Sequence, residues 1–390
     1  MNKYQILIVD DTDVNIEFLK TLLGSWETGN DYEIFEAHDG NEAIIHLQQK
    51  PGIDLVILDM MMPVYDGFYF LEQFDREFDK KYVPVIVMSA AGDTRSISKA
   101  FNYGIYDYFT KPLSSGQLMS FELKVKNALR MKDIMDQLRE RNRIIENEMN
   151  LAAKLQRKFL PEEICEDNYQ LKYYYRPYME LSGDYLDVIS LSDNKVLILI
   201  ADVVGHGTAS AMVGSMIKMH AIDYVENHKE FDLVEFVRNT NAELLRLGAD
   251  DTIVTACFFV YDTENGLLNY VVAGHPYPLI MDFNEKEVFY LENPGTLPLG
   301  LFENIEVMPG ELILSPGQTM VVYTDGILEA KDAEGDFFGL NNIKSTGLEY
   351  VEEYDEFEYN KFITKMVGKL AYIQDDVTIV FLTNSLIVRK

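Results

Sequence analysis

The chain reads as two folded domains of different class joined by a long helix. The first is an α/β doubly wound domain with five parallel strands; the second is α+β, an antiparallel β-sandwich flanked by helices. Three observations predict this. Short apolar runs alternate with helical patterns through the first third of the chain. Neither Gly nor Pro occurs from Gln117 to Leu160. After Pro161, apolar strands follow one another in series, separated by turn residues. The length of 390 residues suits two domains at roughly 100–200 residues each. We place the domains at residues 1–128 and 161–390, with the linking helix at 129–160.

In the first region the strand candidates are Tyr4–Val9, Tyr32–Ala37, Asp54–Leu58, Val83–Ser89 and Tyr106–Thr110. An amphipathic stretch at Asp13–Leu23 leads the helices between them. Near-continuous apolar strands are the mark of a parallel sheet covered on both faces. Such a sheet places its ligands at the carboxyl ends of its strands. Asp10 and Asp11 end the first strand, Asp59 the third, Ser89 the fourth and Lys111 the fifth. Three carboxylates gathered there repel one another, and a divalent cation resolves this by taking their oxygens as ligands. A carboxylate beside Mg²⁺ can attack a phosphoryl group, while Lys111 and the Ser89 hydroxyl bind its oxygens.

On these residues, region 3–128 resembles a response-regulator receiver domain. The motifs are the Asp10-Asp11 pair, LVILDMMMPVYDG around Asp59, VMSA around Ser89 and YFTKP around Lys111. The separations from Asp59, 30 residues to Ser89 and 52 to Lys111, are also similar to that family's. The resemblance implies Asp59 as phosphoacceptor, Asp10, Asp11 and Asp59 as Mg²⁺ ligands, and Ser89, Tyr108 and Lys111 as switch residues. It further implies a cis Lys111-Pro112 bond and a sensor histidine kinase as partner.

The span from Gln117 to Leu160 is rich in helix formers and stops at Pro161. A 3-4 spacing through Ile134, Leu138, Arg141, Ile145, Glu148, Ala152, Leu155 and Phe159 is apolar at six of eight positions. That pattern predicts helix pairing between two copies of the chain, hence a homodimer, with Arg141 and Glu148 as polar interruptions.

Beyond Pro161 the strand candidates are Leu171–Tyr175, Val196–Ala201, Thr252–Tyr261, Leu268–Val272, Pro278–Asp282, Met320–Tyr323 and Val377–Leu382. Helical stretches fall at Ala209–Asn227, Leu233–Leu247 and Glu358–Leu370. Carboxylates border these strands beside glycines: Asp184 with Asp187, Asp202 in ADVVGHG, Asp325 in YTDG, and Asp375-Asp376 in QDDVT. A charged group at the end of an apolar strand needs a partner or solvent. Carboxylates rather than His or Cys point to a hard ion, Mg²⁺ or Mn²⁺. Two such ions would activate a water for in-line displacement at phosphorus. His206 in GHG and His275 in GHP read as structural turn residues, and Arg176 as a solvated side chain or a phosphate contact.

Here the chain resembles the SpoIIE-type branch of the PPM metal-dependent serine/threonine phosphatases, over residues 165–385. The matching segments are ELSGDYLD, LIADVVGHG, VTACFFVYD, VAGHPYPLI, LPLGL, VVYTDGILEA and DDVTIVFL, with AAKLQRKFLP leading in. The resemblance implies a catalytic metal set of Asp184, Asp202, Asp325 and Asp375, with the Val203 carbonyl, holding two Mn²⁺ or Mg²⁺. It also implies a phosphorylated protein substrate, such as an anti-sigma-factor antagonist. Two departures from the family pattern are Ser182, where a glycine is usual, and Val204, where Ser or Gly is usual; neither removes a carboxylate. SGDYLD is superficially similar to the GGDEF signature of cyclic-dinucleotide synthases, but the later aspartate motifs do not fit that reading.

The charge supports this division. The formal net charge of −30 splits into −9 for residues 1–128, +3 for 129–160 and −24 for 161–390. Nucleic-acid binding is excluded as a primary role, because counterion release needs clustered cations. A DNA-binding response regulator also lacks a helix-turn-helix candidate after residue 128. Apolar runs fall far short of the ~18 residues of a membrane helix, and the N-terminus has no signal-peptide pattern, so a cytoplasmic protein without membrane attachment is expected. Cys165 and Cys257 read as buried free thiols. The function expected is a receiver whose phosphorylation on Asp59 controls a metal-dependent phosphatase; the alternative, supported only by Ser182 and Val204, is a non-catalytic scaffold that binds a phosphoprotein without turning it over.

Overall fold

The computed structural model describes residues 3–26, 31–78, 83–90, 94–191, 194–205, 207–246, 252–292 and 295–385. His206 and the end of the expected helix at Leu247 lie outside them. The chain divides into two compact units, Met1–Ile145 and Glu146–Lys390.

In the first unit the elements are β1 (Lys3–Val9), α1 (Asp13–Gly24), β2 (Asp31–Ala37), α2 (Gly40–Gln49), β3 (Leu55–Asp59), α3 (Gly67–Phe78), β4 (Val85–Ala90), α4 (Thr94–Phe101), β5 (Asp107–Lys111) and α5 (Ser115–Phe159). The strands form one parallel sheet in the order β2-β1-β3-β4-β5. The strand order reverses between β1 and β3, so a ligand crevice opens there. Side chains alternate across the sheet. Leu7, Val9, Val56, Leu58, Val85 and Val87 pack on one side, and Ile6, Ile8, Leu55, Ile57, Ile86 and Met88 on the other. That double burial explains the unbroken apolar runs in the sequence.

Helix α5 is 45 residues long: it follows the span free of Gly and Pro to Phe159 and begins two residues earlier, at Ser115, taking in Gly116. Its first turns bury Phe121, Val125, Ala128 and Leu129 against the sheet. Farther along, Ile134, Leu138, Ile145, Leu155 and Phe159 of the expected stripe are exposed. No described helix is long and apolar enough to cross a membrane.

The second unit begins with β6 (Ile164–Cys165), β7 (Tyr169–Arg176), β8 (Asp184–Ser190), β9 (Lys195–Val203), α6 (Thr208–Asn227) and α7 (Leu233–Arg246). It continues with β10 (Val254–Asp262), β11 (Leu267–Ala273), β12 (Leu279–Asp282), β13 (Glu287–Tyr290), β14 (Gly310–Ile313), β15 (Gln318–Tyr323), α8 (Gly326–Glu329), α9 (Gly339–Glu353), α10 (Tyr359–Val367) and β16 (Val377–Asn384). Two antiparallel sheets result, β14-β11-β10-β9-β8 and β13-β12-β15-β16-β7-β6. Between them Ile198, Ile200, Cys257, Phe259, Met320, Val322, Val380 and Leu382 form a shared core; Cys257 is buried there as expected, whereas Cys165 is exposed because β6 is a two-residue strand at the edge of its sheet. Helices α6 and α7 cover the outer face of the first sheet, and α9 and α10 that of the second.

Strands β6, β8, β13 and β14 and helices α8 and α9 are absent from the sequence-based expectation. The two aspartates of β8 weaken its strand signal, and Gly347 interrupts the helical pattern of α9. Phe236, on the inner face of α7, is fully buried and meets Phe231, Tyr224 and Phe258. Phe236→Ala is expected to cost about 3–5 kcal/mol, read as a lower denaturation midpoint of the second unit in urea.

Candidate functional site

All strands of the first sheet point the same way, so their carboxyl ends deliver Asp10, Asp11, Asp59, Ser89 and Lys111 to one edge. Oxygens of Asp10, Asp11 and Asp59 lie within 4.8 Å of one another, with Asp10 and Asp59 buried and Asp11 exposed. The Lys111 ammonium sits 2.5 Å from Asp10 and 2.9 Å from Asp59. Asp10 also accepts from the Thr12 N–H at 3.0 Å and Asn15 Nδ2 at 2.9 Å. Burial holds the Asp59 carboxyl above the usual range, with Lys111 acting against it and Asp10 reinforcing it. Three carboxylates against one ammonium leave an excess negative charge that fits a hard divalent cation.

The Ser89 hydroxyl is buried and has no hydrogen-bond partner among the described residues. Such an orphan costs about 1–3 kcal/mol, which a ligand oxygen in reach would recover. Tyr108 packs edge-on against Phe101, centroids 5.9 Å apart, and the Lys111-Pro112 bond is cis. A cleft of about 630 Å³ opens above Asp59, walled by Val14, Phe18, Met61 and Leu113.

The second site follows from pleat parity. Asp184 on β8 stands opposite Asp202 on β9, and directly opposed residues of an antiparallel pair share a face. Counting by twos from Ile200 and Leu186, which belong to the inter-sheet core, Asp202 and Asp184 face inward between the sheets. From the facing sheet, Thr324 follows Met320 and Val322 of β15, and Thr378 precedes Val380 and Leu382 of β16. Their hydroxyls both donate to Asp184 Oδ2, at 2.9 and 2.6 Å. Asp325 and Asp375 lie just beyond these threonines.

Asp184 is buried and its carboxyl is raised well above the usual range by burial and by Asp202. Asp202 is pushed up to about 8 by burial, Asp325 and Asp375, and shares a hydrogen bond with Asp325. Burial and Asp375 raise Asp325 as well. Among the described residues none of these carboxylates has an ion pair with Lys, Arg or His. Two carboxyls in hydrogen-bond contact must share a proton or a cation. Hard oxygen donors without basic partners fit Mg²⁺ or Mn²⁺.

Glycines bring the backbone in close. A Cβ on Gly183 would lie 2.9 Å from the Gly205 carbonyl and 3.0 Å from that of Val203, and one on Gly326 would be 1.9 Å from the Asp376 carbonyl. The Val203 carbonyl thus adjoins the segment that carries Asp184. The neighbouring aspartates serve differently. Asp376 accepts from the Tyr178 and Gly183 N–H groups, both at 2.7 Å, and clasps the loop before β8. Asp187 pairs with Lys218 at 2.7 Å and accepts from the Tyr185 hydroxyl, away from the inward carboxylates with which it groups in sequence. His275 is buried, with Nδ1 2.9 Å from the Thr255 hydroxyl, and burial lowers it to about 3. A neutral imidazole there agrees with a structural role. Arg176 is exposed at the end of β7, paired in register with Val377 next to Asp376.

Sequence reasoning did not single out Thr324, Thr378, Asn15 or Thr255. The signal for the first two was present, since YTDG and DDVT each place a threonine near the aspartates.

These two carboxylate centres, one on a 2-1-3-4-5 parallel sheet and one between antiparallel sheets, define a two-domain protein of the phosphotransfer-signalling class. Family comparison agrees: residues 6–121 match the response regulator receiver domain, and residues 192–384 match the Stage II sporulation protein E (SpoIIE) family. The chain therefore carries a receiver domain followed by a SpoIIE-type domain of the PPM phosphatase class. It is similar to the phosphoserine phosphatase RsbP of Bacillus subtilis, 28% identical over 47% of this chain and 45% of that protein. It is also similar to the response regulator PleD of Caulobacter vibrioides, 29% identical over 35% of this chain and 28% of PleD. The chain spans less than half the length of these relatives. The SiaA-PP2C domain of Pseudomonas aeruginosa shares the fold of the second unit, with a TM-score of 0.52 and 19% identity over 62% of this chain and 98% of that domain.

Raised carboxyls give a pH dependence of defined sign. Without metal, Asp202 keeps its proton in the folded state from its ordinary 3.8 up to about 8, whereas the unfolded chain releases it. The resulting destabilisation is absent below that window, grows through it and is complete above it. In EDTA, the Tm advantage of Asp202→Asn over the parent chain should therefore widen as pH rises from about 5 to about 8.

Proposed function

We propose that the chain is a receiver-controlled, metal-dependent serine/threonine phosphoprotein phosphatase. One observation carries the reading: Asp202 stands opposite Asp184, hydrogen-bonds Asp325 and has its carboxyl raised by burial, Asp325 and Asp375, and among the described residues none of the four has a basic partner, in a domain of the SpoIIE type. Bound there, two Mn²⁺ or Mg²⁺ would supply an activated water and neutralise charge on the phosphoryl group. The chain's own part is to hold the donors. Thr324 and Thr378 orient Asp184, Asp202 and Asp325 meet at hydrogen-bond distance, Asp375 adds charge, and the Val203 carbonyl completes the set. Asp184, Asp202, Val203 and Thr378 lie on strands, whereas Thr324, Asp325 and Asp375 lie in the short segments that follow β15 and precede β16.

The same reading assigns Asp59 as phosphoacceptor for a sensor histidine kinase, with Asp10, Asp11 and Asp59 holding Mg²⁺ and with Lys111, Ser89 and Tyr108 responding to the phosphoryl group. The orphan Ser89 hydroxyl and the two contacts of Lys111 support it. For substrate we propose a phosphoserine or phosphothreonine protein, an anti-sigma-factor antagonist being the candidate; the similarity to a phosphoserine phosphatase supports the chemical class. The exposed apolar stripe of α5 supports pairing of two copies. The scaffold alternative rested on Ser182 and Val204. Ser182 fits fully buried and hydrogen-bonds the Asp184 N–H, so it argues against a disrupted site.

Asp202→Asn and Asp325→Asn should each lower Mn²⁺-dependent hydrolysis of a phosphoserine protein by more than about 100-fold, beyond what loss of an outer partner usually costs. Retained hydrolysis in both would refute the phosphatase reading. Loading Asp59 with beryllofluoride and Mg²⁺ should change that rate, with no change in Asp59→Asn. Light scattering on the same samples should give the mass of two chains. Equal rates with and without beryllofluoride would rule out receiver control, and a one-chain mass in both would rule out pairing.

A further inference from the structure

Three successive backbone N–H groups ahead of and at the start of β8 are each taken by a side chain. Ser182 N–H donates to Gln156 Oε1 at 3.1 Å, Gly183 N–H to Asp376 at 2.7 Å, and Asp184 N–H to the Ser182 hydroxyl at 3.1 Å. Gln156 also returns a bond, its Nε2 donating to the Ser182 carbonyl at 2.7 Å. A carboxamide that both donates to and accepts from one residue's peptide groups mimics a β-ladder pair, and it fixes that residue in position and orientation. Gln156 lies in the last turn of α5. Ser182 is fully buried, so its hydroxyl has no water to exchange with.

We propose that Gln156 and Ser182 are positioning residues for Asp184. Gln156 holds the Ser182 backbone, and the Ser182 hydroxyl holds the Asp184 N–H. Asp184 thereby enters β8 with its carboxyl already directed at Thr324 and Thr378. A glycine at 182 would keep the Gln156 pairing but lose the hydroxyl, so this chain has an anchor that the usual family residue does not supply. The inference rests on the metal-site reading above and deepens it, because it makes the end of α5 part of what sets metal affinity. Partners behind a metal ligand typically contribute 10–100-fold to affinity.

The test uses the full chain with Gln156→Met, which preserves length and removes both bonds, and Ser182→Ala, which removes only the hydroxyl. Mn²⁺ binding is measured by calorimetry with parent and variants all carrying Asp10→Asn and Asp59→Asn, which silence the receiver's own cation site, and the Mn²⁺ dependence of hydrolysis with a small aryl phosphate. The expected result is a Kd for Mn²⁺ raised about tenfold in each variant, a parallel rise in half-saturating Mn²⁺, and kcat largely restored at saturating Mn²⁺. Gln156→Glu, which can accept from the Ser182 N–H but not donate to its carbonyl, should fall between Met and the parent. Unchanged Kd in both Gln156→Met and Ser182→Ala would overturn the proposal, as would a kcat loss that saturating Mn²⁺ does not restore. A parent chain that binds Mn²⁺ but hydrolyses nothing would defeat the phosphatase reading alone, and calorimetry would still decide the positioning role. A parent that binds no Mn²⁺ would defeat both.

Discussion

Repulsion among buried carboxylates is the constraint on which both halves of this protein depend. At each site, acidic side chains are drawn together at strand ends against their mutual Coulomb energy. The surrounding fold must therefore be stable enough to hold them. In the first unit the cost is reduced by Lys111, which reaches both Asp10 and Asp59. In the second, no basic residue among those described is paired with the cluster. Burial and proximity there push protons onto Asp184 and Asp202, and hydroxyls from the facing sheet take up the spare lone pairs.

The two sites solve the same problem with different sheet geometry. A parallel sheet gathers residues from distant points of the chain because every strand ends on the same edge, so Asp10, Asp59, Ser89 and Lys111 become neighbours by topology alone. A sandwich gathers them by parity. Asp184 and Asp202 turn toward the core because Leu186 and Ile200, two residues away along each strand, do so. Thr324 and Thr378 arrive from the other sheet by the same alternation. Apolar packing between the sheets thus aims the polar groups at the open end of the layer.

Much of this was legible in the sequence where the physical signal is local. Continuous apolar runs gave away the buried parallel strands, a span free of Gly and Pro marked α5, and Asp59, Ser89 and Lys111 stood at recognisable strand ends. Legibility failed where neighbours in space are far apart in sequence. Asp187 sits three residues from Asp184, yet Lys218 claims it. Asp376 is adjacent to Asp375, yet its carboxylate clasps the loop at Tyr178 and Gly183. Strand β8 itself was hidden because its aspartates oppose strand propensity, and only pairing with β9 overrides that.

The sequence by itself determined the order and class of the domains, the long helix between their cores and the acidic residues available to each site, because hydrophobic periodicity, breakers and motif spacing are local properties. Tertiary structure decided which of those acids share a centre, which are tied up as clasps or ion pairs, and which hydroxyl and carboxamide groups hold Asp184. Those choices depend on strand register and sheet stacking, which bring residues 156, 182, 184, 324 and 378 together and which no local pattern encodes.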